Sequence, residues 1–305
     1  MNNFISLQFF SSQQLQDILS LAKAIKAEPL KYSQSLEGKY IGLLFEKPSL
    51  RTKTAFYIGA LGLGAQAIYY TSQEIKLGQR EKVSDAARTL ASYLDAVVLR
   101  TFSHDVLLEF TQFSSIPVVN ALSNLLHPSQ ALADILTISE LKPDIKKLKI
   151  VYLGDGNNVC HSLIYCLSIL GCHLTISTPD DFKPSAEVLE RAGGFNRVSG
   201  GSISVCPDPV LAAKDADVLY TDVWTSMGDE DKREERKKAF KNFQINDKIV
   251  SQAKEDSIVM HCLPAHRAEE ITDSVIDGKH SVVFHQAENR LHSAKAILYH
   301  LLGEK

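Results

Sequence analysis

Apolar residues in this chain fall into short continuous runs separated by stretches in which they recur every three or four positions, and the two patterns alternate. Runs near 40–45, 66–70, 96–99 and 116–119 predict buried strands. Helical spacing near 50–62, 82–94, 103–113 and 129–141 fills the intervals, and Leu15, Ile18, Leu19, Ala22 and Ile25 predict an opening helix after Ser12. Lys142-Pro143-Asp144-Ile145-Lys146-Lys147 interrupts the rhythm with a proline and charges, and marks a domain boundary. A second series follows, with strands near 148–154, 173–178, 202–205, 217–221 and 257–261 and a closing helix near 286–302. Such alternation builds mostly parallel sheets. The chain is predicted as an α/β protein of two domains, 1–143 and 144–285, each a mostly parallel sheet flanked by helices.

Open parallel sheets bind ligands at the carboxyl ends of their strands, and polar residues collect there. Phe45-Glu46-Lys47-Pro48-Ser49-Leu50-Arg51-Thr52 closes one apolar run and opens a helix. Ser49 stands where an N-cap belongs, and the unpaired N–H groups of the first turn, the helix dipole, Arg51 and Thr52 together suit a phosphate or a carboxylate. A plain cap with a solvated arginine fits the same eight residues. Arg100 ends the run Ala96-Val97-Val98-Leu99, an expensive place for a guanidinium unless an anion or a rim carboxylate faces it. His127-Pro128-Ser129-Gln130 precedes a helix, so that His127 and Gln130 can address one spot.

Three further strand ends lie in the second half. Gly154-Asp155-Gly156-Asn157-Asn158 starts like a dinucleotide loop, and Asp180 and Asp181 follow at a suitable interval, but the third glycine of GxGxxG is absent. Two asparagines at a helix start suit a ligand carboxylate or an Asx turn. Asp222 follows the strand Val218 to Tyr220 and can bind an ammonium or cap a turn. His261-Cys262-Leu263-Pro264-Ala265-His266-Arg267 sets a thiol between basic neighbours, surroundings that lower a thiol pKa. Gly228 to Lys238 is nearly all charged; such a run is ordinarily a solvated helix face, and its place after a strand end also suits a lid.

Composition narrows the partners. With 305 residues, 45% hydrophobic, the chain can bury a large core without staples. A net charge of −3 gives no electrostatic footprint for nucleic acid or an anionic membrane. Five cysteines without a CxxC pair argue against a disulfide framework and a zinc site, and point to a reducing compartment. With no leader or long apolar span, a soluble cytoplasmic protein acting on small molecules is expected.

Taken in order, these segments resemble the aspartate/ornithine transcarbamoylase family over nearly the whole chain. FEKPSLRT is similar to the family's carbamoyl phosphate loop and HPSQ to its second motif. HCLP resembles the motif that sets ornithine enzymes apart from aspartate ones. Asp222 with Ser226-Met227-Gly228 resembles the ornithine loop, and the Gly154 to Asn158 turn the segment holding the amino acid's carboxylate. The resemblance implies transfer of a carbamoyl group from carbamoyl phosphate to the side-chain amine of L-ornithine, with no metal or organic cofactor. It implies carbamoyl phosphate contacts from Ser49, Leu50, Arg51, Thr52, Arg100 and Arg290. His127 and Gln130 would polarise the carbonyl, and Cys262 and Leu263 would touch both substrates. Ornithine would be held by Asn158, Asp222, Ser226 and Met227. Arginine metabolism, a trimer or a multiple of trimers, and a final helix (286–305) packed on the first domain are implied as well.

The match has departures. Leu50 and Lys53 stand where threonine or methionine, and arginine, are usual; Lys76 replaces a glutamine near carbamoyl phosphate; Ala86 replaces a threonine. Chemistry adds a demand of its own, since an amine of pKa near ~10.4 costs roughly 4 to 5 kcal/mol to deprotonate at pH 7. A proton acceptor is required, and Cys262 thiolate and Asp222 are the two candidates. A sister enzyme acting on putrescine or an acylated ornithine, a nicotinamide dehydrogenase using the Gly154 loop, and a non-catalytic binding protein are the alternatives.

Overall fold

Each apolar run becomes a strand in the computed structural model, which describes residues 3–225 and 230–303. Among the described residues nine strands form two all-parallel sheets: β1 (Tyr40–Phe45), β2 (Gln66–Tyr70), β3 (Ala96–Arg100) and β4 (Val118–Leu122) in the order β2-β1-β3-β4; β5 (Lys149–Leu153), β6 (His173–Ser177), β7 (Ser202–Val205), β8 (Val218–Thr221) and β9 (Ile258–His261) in the order β7-β6-β5-β8-β9. One compact unit comprises the residues up to Leu136 with those from Glu288 onward, the other Thr137–Ala287.

In the first unit Leu44, Val97, Leu99 and Val118 pack against Ile75, Ala87, Leu107 and Phe110 from the flanking helices. In the second, Val151, Leu153, Leu219 and Val259 pack against Ala213, Ile249, Ile271 and Val275. Full burial of each large aliphatic side chain contributes roughly 1.5–3 kcal/mol, so the central strands are fixed by their apolar runs. The strand order reverses between β1 and β3 and between β5 and β8. Ligand crevices form at such points.

Two sequence expectations shift. The fourth strand, expected at 116–119, runs from Val118 to Leu122, through the buried Asn120. Asn120 Nδ2 donates to the Ile5 carbonyl (3.0 Å) and its N–H to the Phe4 carbonyl (2.8 Å), so a polar residue is tied into the core through donors while its Oδ1 has no partner. The opening helix is Ser12–Ala27, with Ser11 and Gln14 forming a capping box. Among the described residues no helix is long and apolar enough to cross a membrane.

Candidate active site

In the first unit the loop after β1 is fastened to the end of β3. Phe45 pairs with Arg100, the Glu46 N–H donates to the Arg100 carbonyl at 2.9 Å, and Glu46 Oε2 accepts from the Thr101 hydroxyl and the Phe102 N–H. The next helix is Arg51–Leu61, and its cap residue is Leu50, already helical at φ −73, ψ −58, with no side-chain cap bond. Ser49 is therefore not the N-cap. It stands one position too early, and the residue that does cap the helix brings no side-chain bond to its first turn. Leu50 turns its side chain outward, 75% exposed, leaving only its backbone for a ligand.

Arg51, Thr52, Arg100, His127 and Arg290 come together. Arg100 is 5% exposed, its Nε has no partner, and burial followed by the charges of Arg290 and Arg51 lowers its pKa to about 10. The charges that face it are thus cations. Arg290, on the helix Val283–Leu302, donates to the Thr52 hydroxyl. His127 is buried beside them; burial, then Arg290 and Arg100, push its pKa well below the ordinary histidine value, so it stays neutral. Gln130 is fixed by a bond from Nε2 to Asp134 Oδ1 at 2.8 Å, leaving Oε1 buried and unpartnered. Lys53 lies over the Tyr69 ring at 3.6 Å, and Lys76 is exposed at a turn with φ 26.

Neutral His127 has a consequence for stability. An unfolded histidine takes up a proton near pH 6.5 while the buried one does not, so the unfolded chain binds more protons below that pH and stability falls as pH drops. His127→Gln should flatten the slope by up to about 1.4 kcal/mol per pH unit below 6.5. Urea melts of both proteins at pH 7.5 and 5.5 measure this; equal slopes would mean that His127 titrates normally.

In the second unit three strand ends converge. Cys262 Sγ donates to Asp222 Oδ1 at 2.9 Å, Asn157 Nδ2 to Asp222 Oδ2 at 2.8 Å, and the Val223 N–H to Oδ1 at 2.8 Å. Asn157 is the N-cap of the helix Asn158–Leu170 and accepts from the N–H groups of Val159 and Cys160. Asn158 begins the helix.

The thiol's surroundings differ from the expectation. His261 is fully buried, its Nε2 2.9 Å from Glu270 Oε1, and its Nδ1 accepts from the Leu263 N–H at 2.9 Å, so this basic neighbour is engaged elsewhere. Leu263 is held at φ 56, a left-handed conformation that a bulky residue adopts only under constraint. Asp222, His261 and Cys262 offer ligand atoms within 4.8 Å of one another, as do His266, Glu269 and Glu270. Whichever His261 nitrogen served a metal would have to give up its present bond. Ser226, Met227 and Gly228 lie outside the described residues.

The Gly154 turn does not reserve space for a pyrophosphate. A Cβ on Gly156 would lie 2.3 Å from the Pro184 nitrogen, and the Gly156 N–H donates to the Phe182 carbonyl at 2.9 Å. The second glycine serves an approach of the chain to itself, which removes the main support for a dinucleotide site.

Comparison with known proteins finds matches over both halves of the chain. Residues 2–140 match the carbamoyl-P binding domain of aspartate/ornithine carbamoyltransferases, and residues 146–301 match their Asp/Orn binding domain. The ornithine carbamoyltransferase of Listeria monocytogenes serotype 4b is 45% identical over 99% of this chain and 96% of its own length. The solved structure of the ornithine carbamoyltransferase from Pyrococcus furiosus superposes with a TM-score of 0.96 at 44% identity, covering 100% of this chain and 98% of that one. An anabolic ornithine carbamoyltransferase from Campylobacter jejuni is 38% identical with a TM-score of 0.94, over 99% of each chain. The chain belongs to the aspartate/ornithine carbamoyltransferase family.

Proposed function

We propose that Arg51, Thr52, Arg100 and Arg290, with the backbone of Ser49 and Leu50, hold the phosphate of carbamoyl phosphate, and that Lys76 adds a further cation. The chain transfers the carbamoyl group of carbamoyl phosphate to the side-chain amine of L-ornithine, giving L-citrulline and phosphate. The observation that carries the residue assignment is the cluster of guanidiniums, in which buried Arg100 is faced by buried Arg290 and half-buried Arg51. Such a cluster is costly until an anion enters it, and the negative charge on the phosphate oxygen grows as the carbamoyl bond breaks. Donors aimed there stabilise the transition state more than the ground state.

His127, neutral, donates through a ring N–H to the carbamoyl carbonyl. Gln130, with a second amide N–H beyond the one given to Asp134, joins His127 at the carbamoyl carbonyl, and its Oε1 can take the carbamoyl NH2. Asn158 and Asp222 orient ornithine together with Ser226 and Met227, and Cys262 and Leu263 serve the carbamoyl group as well as the amine. Asp222 receives the amine proton, directly or through the thiol. The same reading gives domains of 1–143 and 144–285, with 286–305 packed on the first, and a cytoplasmic homotrimer or multiple of trimers. The reaction places the chain in arginine metabolism, where arginine biosynthesis uses it in the direction of citrulline.

A colorimetric citrulline assay with carbamoyl phosphate and ornithine tests the reading. Citrulline should form with ornithine and no carbamoylated product with putrescine. Turnover of putrescine or reduction of NAD without citrulline would overturn it.

A further inference from the structure

The helix Arg233–Phe240 lies in the charged run, with Glu234 and Glu235 in its first turn and Lys237 and Lys238 in its last, as the helix dipole favours. Its outer face fits a solvated helix. Its inner face does not. Phe240 is fully buried and packs on Trp224 at 5.8 Å between ring centroids and on Phe182 at 4.7 Å. Arg236, with a side chain only 12% exposed, pairs with Asp155, donates through Nε to the Trp224 carbonyl, and lies over the Phe182 ring at 4.7 Å.

The same helix is tied to a third loop. Glu269 Oε1 takes Arg233 Nη2 at 2.5 Å and Lys237 Nζ at 3.1 Å, and Gln244, just beyond the helix, donates to the Ala268 and Glu269 carbonyls. Each anchor stands next to a residue assigned to the acceptor side. Asp155 is in the turn that carries Asn157 and Asn158, Trp224 is two residues after Asp222, and Glu269 is in the loop that begins with Cys262.

We infer that this helix is a bracket: Arg236 on one side, and Arg233 with Lys237 on the other, fix the spacing of the three loops carrying Asn158, Asp222 and Cys262. The helix thereby positions the groups that receive the amino acid. The inference deepens the acceptor-side assignment above and rests on it. A guanidinium suits the task because its planar fork addresses a carboxylate and a carbonyl at fixed angles while stacking on an aromatic ring, which an ammonium cannot reproduce.

The test compares wild type with Asp155→Asn, Glu269→Gln, their double variant and Arg236→Lys, reading KM and kcat for each substrate and the melting temperature. Each single carboxylate change should raise the KM for ornithine about tenfold, as loss of one charge-assisted bond does, and leave that for carbamoyl phosphate within about twofold. The latter value also certifies a folded enzyme. Because both carboxylates act through one helix, the double variant should raise the KM for ornithine by about thirtyfold, short of the hundredfold product. Arg236→Lys should resemble Asp155→Asn and not wild type. An unchanged KM for ornithine, a full multiplicative effect in the double variant, or equal damage to both substrates with a lower melting temperature would overturn the bracket. Wild type that forms no citrulline would instead remove the acceptor assignment on which it rests.

Discussion

Arg100→Met is expected to raise the melting temperature of the ligand-free protein while lowering kcat/KM for carbamoyl phosphate by about 10² to 10³-fold. Arg100 is buried, faces Arg290 and Arg51, and has an Nε without a partner. In the empty site its charge is desolvated and repelled. Methionine has similar length and adapts to an irregular cavity, so the change removes an uncompensated cation without opening a large void. With phosphate present the sign inverts, since a ligand that binds only the folded state stabilises by RT ln(1 + [L]/Kd). Thermal melts with and without inorganic phosphate measure both halves. Wild type should gain stability from phosphate and the variant much less. A variant that melts lower when empty and still responds fully to phosphate would show that the arginine belongs to a structural ion pair.

The same cluster shows what a sequence conveys. Continuous apolar runs located β1, β3, β5, β8 and β9 because a strand buried on both faces has no room for polar residues, and the polar residues after each run became the site. The fourth strand is displaced from its expected place where Asn120 breaks the run, for the Phe4 and Ile5 carbonyls that take its donors come from a segment more than a hundred residues away in the chain. Ser49 looked like a cap from residue type alone; the backbone enters the helix at Leu50 instead. Glu46, which ties the loop after β1 to the end of β3, carries no local signal. Neither do Arg236 and Glu269, since composition describes a charged run but not which of its charges points inward. Arg290 was found through the family pattern, because no spacing rule connects it to Thr52, 238 positions away.

Asp222→Asn should cost about 10² to 10⁴-fold in kcat, the usual contribution of a positioned proton acceptor, while Cys262→Ser should keep activity within about tenfold of wild type. The two candidates are separated by the hydrogen bonds between them. Asp222 receives the thiol, the Asn157 amide and the Val223 N–H, so its carboxylate is fixed in place by three donors, while Cys262 acts as a donor at 2.9 Å. A serine hydroxyl can make the same donation, which preserves the carboxylate's orientation. An asparagine cannot accept a proton, and its amide nitrogen would confront a donor. If a Cys262 thiolate were the acceptor, the ranking would reverse, because a hydroxyl is far too weak an acid to supply the oxyanion at neutral pH. Single-turnover rates of citrulline formation with saturating carbamoyl phosphate isolate this step from product release. Cys262→Ala should fall between the other two variants, since it leaves the carboxylate without one of its donors yet still able to take the proton. A serine variant as impaired as the asparagine variant would transfer the role to the thiol and leave Asp222 with the task of orienting it.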